Sequence, residues 1–84
     1  MAHVRLRLFA AARDAAGRAN DELDAETLGD ALAAARHAYG DQFANVLDAA
    51  RVWVNGDEPP EGERAALRDG DEIAVVPPVS GGAR

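Results

Sequence analysis

The residues best suited to chemistry lie near the carboxyl end of the sequence, where Gly81 and Gly82 follow an apolar run closed by Pro77-Pro78. Glycine has no side chain and adopts backbone angles closed to other residues, so paired glycines form a thin segment that another protein can thread into a narrow site. The reacting group of this segment would be the Gly82 carboxylate. Because Ala83-Arg84 follow it, we expect that group to become available only after those residues are removed.

Other reactive constellations are missing from the sequence. There is no cysteine, which excludes disulfides, thiolate chemistry, Fe–S clusters and cysteine zinc sites. His3 and His37 lie far apart, and neither has a companion at metal-ligand spacing. The acidic segment 57–63 lacks the spacing of a calcium loop, and neither a Ser-His-Asp elbow nor a phosphate-binding glycine loop is present. We therefore expect no enzyme activity in this chain, and no metal or cofactor bound by it.

Length and charge narrow the remaining functions. Eighty-four residues allow one domain, and the net charge of −6 argues against a nucleic-acid partner, which would require clustered cations. An acidic surface is instead compatible with docking onto a basic protein. No apolar run approaches the roughly 18 residues of a membrane span, and Arg5 and Arg7 interrupt the first apolar stretch. We expect a cytoplasmic protein with no membrane partner.

The amino-terminal elements are predicted from apolar periodicity. Residues 3–9 alternate, with Val4, Leu6 and Leu8 on one side, which predicts a half-buried strand. The alanine-rich connector 10–19 is expected to hold a helical turn. Residues 21–24 weakly favour a short second strand that forms a hairpin with the first.

A helix beginning after Thr27 is the clearest local prediction. Thr27 is a typical N-cap residue, and Asp30 follows at the third helical position. Apolar residues then recur at helical spacing along one stripe: Leu28, Ala31, Leu32, Ala35 and Tyr39. Gly40 provides the stop signal, and residues 41–50 favour a turn or a short helix.

The carboxyl-terminal half adds further strands. Residues 51–55 predict a strand ended by the Asn55-Gly56 turn, 65–67 a brief edge strand, and 72–76, apolar on both faces, a central strand. This order predicts an α+β domain over residues 1–78 with the β-grasp arrangement. In that arrangement one main helix lies across one face of a mixed sheet of four to five strands. Residues 79–84 would form a flexible tail.

Two segments carry a resemblance to a known family. Residues 9–17 have the sequence FAAARDAAG, and residues 69–82 have the sequence DGDEIAVVPPVSGG. Together with the helix between them, they resemble the small subunit of molybdopterin synthase, within the MoaD/ThiS-type, ubiquitin-like sulfur carriers. The Pro-Pro-Val-x-Gly-Gly ending is typical of the molybdopterin branch, whereas Gly-Gly alone is also found in termini without a function.

The resemblance implies a carrier rather than an enzyme. In such families an E1-like adenylyltransferase uses ATP and Mg to activate the terminal glycine, sulfur then gives a thiocarboxylate, and the synthase large subunit transfers that sulfur to a pterin precursor. Gly82 would carry the sulfur here, next to Gly81. Typical members end at the second glycine, so a processing peptidase would have to remove Ala83-Arg84 from this chain.

The β-grasp arrangement also predicts a partner-binding surface. It would place Phe9, Trp53 and Val76 together on the sheet face away from the helix, and exposed apolar clusters are typical of interfaces. We assign partner binding to these three residues and to the segment 77–79, that is Pro77, Pro78 and Val79. Three alternatives remain open. The first is a sulfur carrier for thiamine, cysteine or tRNA thiolation, the second is a ubiquitin-like protein modifier joined through Gly82 to lysines, and the third is a plain interaction module.

Overall fold

A mixed β-sheet with helices on one of its faces forms the body of the chain in the computed structural model, which describes residues 1–78. Within those residues there are four strands, three α-helices and a 3₁₀ turn at Gly62–Arg64. In chain order the elements are β1 Ala2–Leu8, α1 Ala10–Ala16, β2 Asn20–Ala25, α2 Leu28–Tyr39, α3 Asp41–Asp48, β3 Arg51–Val54 and β4 Glu72–Val76.

The strand order across the sheet is β2-β1-β4-β3. β1 runs antiparallel to β2 and parallel to β4, and β4 runs antiparallel to β3. The first and last strands are therefore central neighbours joined through a helical crossover. This confirms the predicted α+β, β-grasp fold.

The core lies between the sheet and the helices. In β1 the predicted alternation holds, since Val4, Leu6 and Leu8 are buried and the residues between them are exposed. The helix α2 covers them with the stripe predicted from spacing, of which Leu28, Ala31, Leu32 and Ala35 are buried. α3 adds Phe43, which is fully buried with its ring edge-on to Tyr39 at a centroid distance of 5.0 Å.

Local signals place the ends of the main helix and of β3. The Thr27 hydroxyl accepts a hydrogen bond from the Asp30 N–H at 3.2 Å, which confirms the predicted N-cap. Gly40 ends α2 with a φ of 93°, a value that favours glycine. After β3, Asn55 and Gly56 have φ values of 54° and 87°, as a tight hairpin turn between Val54 and Asp57 requires.

Two segments differ from their predicted form, whereas a third confirms its prediction. The connector 10–19 holds a seven-residue helix rather than one turn. Residues 41–50 hold the eight-residue α3, the short helix that was one of the two forms predicted there. Residues 65–67 do not form an edge strand. Their backbone bonds go to the junction between β2 and α2, since the Leu28 N–H donates to the Ala65 carbonyl and the Leu67 N–H donates to the Glu26 carbonyl, both at 2.9 Å. The segment therefore closes one end of the core instead of extending the sheet.

Candidate functional site

The predicted carrier segment leaves the fold from the middle of the sheet. β4, which ends at Val76, lies between β1 and β3. Pro77 is buried and Pro78 is exposed, so Pro78 is the proline whose ring a partner can reach directly. The other predicted residues of this segment, Val79, Gly81 and Gly82, lie outside the described residues. The structure thus defines the base of the segment and the surface beside it.

A row of side chains crosses the open face of the sheet close to that base. Arg7 of β1 pairs with Ala74 of β4, and Ala74 pairs with Trp53 of β3. Paired residues on adjacent strands point to the same side, and the neighbours of Ala74 in β4 are buried against the helices. Arg7, Ala74 and Trp53 therefore share the face away from the helices.

A second row lies one step nearer the carrier segment. There Val76 pairs with Arg51. Phe9 extends β1 by one residue, because its backbone is extended and its N–H donates to the Val75 carbonyl at 3.2 Å. By alternation its side chain joins the outer face, where the Arg7 guanidinium lies 5.4 Å from the ring centroid. We call Phe9, Trp53, Ala74 and Val76 the tail-end patch.

Phe9, Trp53 and Val76, which were predicted to share this face, do lie on it together. Phe9 is 38% exposed and, within residues 1–78, is one of two large hydrophobic side chains that are exposed, the other being Met1. Trp53 and Val76 are half-buried. Their binding role stays a prediction, since no partner chain is present.

Sequence reasoning missed the two arginines beside this patch. Arg7 and Arg51 occupy strand positions in the same two rows as the patch residues. The signal was available in part, because Arg51 and Trp53 are two residues apart in one strand and so share a face. The cross-strand register, which brings Arg7 and Arg51 to opposite sides of one apolar patch, could not be predicted from the sequence.

The far end of the same face is acidic and holds a histidine. The His3 ring contacts the Asp24 carboxylate through Nδ1 at 2.8 Å and the Glu22 carboxylate through Nε2 at 2.6 Å. The His3 backbone N–H donates to Asp69 Oδ1 at 2.8 Å. The hydrogen bond with Glu22, followed by the one with Asp24, raises the pKa of His3 above its ordinary value. This cluster could not be predicted from the sequence, because it depends on the register between β1 and β2.

Among the described residues, no group of three or more His, Cys, Asp or Glu side chains is placed to hold a metal ion. Over that same part of the chain, no helix has the length and apolarity needed to cross a membrane. The tail-end patch joins exposed apolar area to two flanking arginines, a composition that is typical of protein–protein interfaces.

The fold defines a ubiquitin-like β-grasp protein whose tail-end patch lies next to the base of its carboxyl-terminal segment. The ThiS family model matches residues 6–82. The chain therefore belongs to the ThiS family of ubiquitin-like sulfur carriers, as the sequence resemblance indicated. A search of curated proteins finds no match.

Solved structures of similar proteins agree with this membership. The small archaeal modifier protein SAMP1 from Haloferax volcanii is 32% identical with a TM-score of 0.83, covering 95% of this chain and 99% of that chain. SAMP1 from Methanosarcina acetivorans is 31% identical with a TM-score of 0.85, covering 98% of each chain. A chain from the complex of subunits 1 and 2 of molybdopterin-converting factor from Helicobacter pylori is 24% identical with a TM-score of 0.73, covering 95% of this chain and 99% of that chain. At that identity the last match shows the fold alone.

Proposed function

We propose that this chain is a sulfur carrier that delivers sulfur as a thiocarboxylate on Gly82, acting as the small subunit of molybdopterin synthase in molybdenum cofactor biosynthesis. The observation that carries the proposal is the direct continuation of β4 into the sequence Pro-Pro-Val-Ser-Gly-Gly. β4 contributes Ala74 and Val76 to the tail-end patch. The reacting glycine is thus joined by a short segment to the strand that carries the docking surface.

Activation of Gly82 follows from ordinary carboxylate chemistry. A carboxylate is a poor electrophile, so one of its oxygens first attacks the α-phosphorus of ATP, which releases pyrophosphate and leaves an acyl-adenylate. A donor of sulfide-level sulfur then attacks the acyl carbon, AMP leaves, and the thiocarboxylate is formed. In this proposal ATP and Mg belong to an E1-like adenylyltransferase, and the transfer of sulfur to a pterin precursor belongs to the synthase large subunit. This chain supplies the carried group and the surfaces that position it.

The geometry of the chain suits delivery into a partner's active site. From Pro77 to Gly82 the segment spans at most about 20 Å when fully extended. The buried Pro77 fixes the base of this segment in the fold. Because the tail-end patch lies beside that base, a partner that docks on the patch can receive Gly82 within about 20 Å of the base.

Residues Ala83-Arg84 must be removed before this chemistry begins. While they remain, the Gly82 carbonyl belongs to a peptide bond and offers no carboxylate for adenylation. A processing peptidase would add water across the Gly82–Ala83 bond. Intact-mass spectrometry of the protein from its native host tests this step. We expect a species that ends at Gly82, with one carboxylate oxygen replaced by sulfur in part of the population. If the protein is only ever found with Ala83 still attached, the carrier proposal is wrong.

The molybdopterin pathway needs a separate test. The chain ending at Gly82, converted to the thiocarboxylate, is mixed with the synthase large subunit of the same organism and a pterin precursor. We expect sulfur to appear in the pterin product and the carrier to return to a carboxylate. Loading of the carrier without any transfer to the pterin would leave the carrier class intact and assign the sulfur to another pathway.

A point substitution tests the docking role of the patch. Trp53→Asp places a negative charge in the tail-end patch, so we expect it to abolish measurable binding to both the adenylyltransferase and the large subunit. Ala33→Asp, on the exposed side of α2, adds the same charge away from the patch and serves as the matched control. Normal binding by the Trp53 variant would show that the tail-end patch does not take part in docking.

A second function, protein modification, is supported by the identities of the solved structures. The two archaeal modifiers are 32% and 31% identical to this chain, against 24% for the molybdopterin-converting factor chain. In this case the activated Gly82 carbonyl would be attacked by a lysine amine of another protein, with loss of AMP, to give an isopeptide bond. Mass spectrometry of lysine-containing peptides from host proteins would show the attached carboxyl-terminal residues of this chain. Their absence under all growth conditions would exclude the modifier function.

A further inference from the structure

Charge is unevenly distributed over the outer face of the sheet, although the whole chain has a net charge of −6. In the two rows nearest the carrier segment, the paired strand positions hold Arg7 and Arg51 and no carboxylate. The carboxylates of this face begin in the next row, where Glu72 and Glu22 flank Arg5. The strand positions beside the carrier segment therefore carry only positive charge on an acidic protein, and the nearest carboxylate oxygens, of Glu72 and Glu58, lie 3.8 Å from the two arginines.

The two arginines lie on opposite sides of the tail-end patch. Arg7 is in β1 and Arg51 is in β3, with β4 between them. The contact of the Arg7 guanidinium with the Phe9 ring holds that charge against the apolar surface. Arginine is enriched at interfaces because its planar guanidinium binds carboxylates through two parallel hydrogen bonds. The patch thus has a cation on each flank.

Both arginines are available to a partner at little cost. Arg7 lies 3.8 Å from a Glu72 oxygen and Arg51 lies 3.8 Å from a Glu58 oxygen, and all four side chains are exposed to solvent. Ion pairs this long at an exposed site contribute little, because water and salt screen them. A partner carboxylate that approaches closely can replace them when the interface excludes water.

We propose that the adenylating partner presents to the tail-end patch an apolar surface flanked by carboxylates, which pair with Arg7 and Arg51. This inference rests on the proposed function, and it applies equally to a sulfur carrier and to a modifier, since both require activation of Gly82. The net charge alone favours a basic partner, whereas the charge at the docking surface selects an acidic one. Opposite charges at the rim mainly accelerate association and exclude partners with cations at these positions.

Charge reversal with a matched control tests the proposal. The chain ending at Gly82 is prepared as the wild type, as Arg7→Glu/Arg51→Glu, and as Arg64→Glu/Arg68→Glu. The two double variants have the same net charge, and the control positions lie in the loop between β3 and β4. The probe is the adenylyltransferase encoded by the same organism. Association rate constants are measured at low and at high salt, and ATP–pyrophosphate exchange is measured in parallel.

We expect Arg7→Glu/Arg51→Glu to associate at least about tenfold more slowly than the control variant at low salt, with much of the difference lost at high salt. The milder Arg7→Gln/Arg51→Gln should fall between wild type and the reversed variant. If the charge-reversed variant fails to fold, the association rate of the glutamine variant tests the inference in its place. Equal association rates for the patch variants and the control would overturn the inference and leave the proposed function standing. No exchange activity with wild-type chain would instead refute the proposed function, and the inference with it.

Discussion

The two faces of the sheet are built from the same strands but have opposite properties. On the inner face, Leu6, Ile73 and Val75 are fully buried beneath the helices. On the outer face, the residues between them remain partly open to solvent and are grouped by charge and apolarity. Because strand side chains alternate, each strand contributes to both faces with successive residues. Substitutions at adjacent positions can therefore alter the stability of the fold and the proposed docking separately.

Val75 and Val76 provide the most direct test of the difference between the inner and outer faces of the sheet. They are the same residue type, one after the other in β4, with Val75 buried and Val76 half-buried on the outer face. Val75→Ala should lower the free energy of unfolding by about 2 kcal/mol, because it leaves a cavity in the core. Val76→Ala should cost about 1 kcal/mol or less, since only the packing of an open sheet surface is lost. Urea denaturation measures both values.

The same two variants separate folding from docking. At temperatures where both are folded, Val76→Ala should weaken binding to the adenylating partner, and Val75→Ala should bind like the wild type. Equal unfolding free energies for the two variants would contradict the distinction between the faces. A binding defect confined to Val75→Ala would show that the docking surface has been assigned to the wrong side.

Local sequence signals explain how much of this fold could be predicted. The alternation in β1, the Thr27 cap and the Asn55-Gly56 turn act over two to four residues, and each was recognised correctly. The apolar and small residues of 10–16 and 41–48 gave weaker signals, because the helices there are short and depend on packing for their stability. Residues 65–67 were misassigned because their backbone partners lie some 40 residues away along the chain.

The candidate site, like the fold, could be predicted only in part from the sequence. Phe9, Trp53 and Val76 could be placed on one face because the β-grasp arrangement fixes which strands are neighbours. The flanking positions of Arg7 and Arg51, and the contacts of His3, depend on strand register, which a single sequence does not specify. The roles of Gly81 and Gly82 came from a motif and a resemblance, and these residues lie outside the part of the chain that the structure describes.

The hydrogen bond of Tyr39 provides a test of how strongly the helical layer is joined to the edge of the sheet. Its hydroxyl, in the last turn of α2, donates a hydrogen bond to Asp21 of β2 at 2.5 Å, and Arg18 lies close to both. Tyr39→Phe keeps the ring packed on Phe43 and removes this bond, so it should cost about 1.5 kcal/mol of unfolding free energy. Thermal unfolding at neutral pH measures the loss. An unchanged midpoint would mean that the contact contributes nothing to joining the two layers.

The same contact should depend on pH in a defined direction. The hydrogen bond from Tyr39 is the main cause that lowers the pKa of Asp21 below its ordinary value of 3.8. A lowered pKa means that the ionised form stabilises the fold, so this stability is present above the ordinary pKa and is lost as the pH falls through the lowered one. The difference in unfolding free energy between wild type and Tyr39→Phe should therefore shrink below about pH 4. A difference that stays constant into acid would exclude the role of the Asp21 charge.

The smallest expected effect is at the acidic end of the outer face, where His3 faces Glu22 and Asp24 of β2. Both ring nitrogens contact carboxylate oxygens, and only the protonated ring can donate from both. The other charges nearby are Asp69, before β4, and Arg5 and Glu72 in the next row of the same face, and the pKa of His3 is raised from 6.5. A raised pKa means that this stability is fully present below about pH 6.5 and is lost as the pH rises through the raised value. His3→Gln should therefore be less stable than wild type in mildly acidic urea titrations and equal to it in alkaline ones. The ring is exposed, so a stability difference that persists in alkali would have to come from the backbone of the strand. That result would show that the charge of His3 does not stabilise the fold.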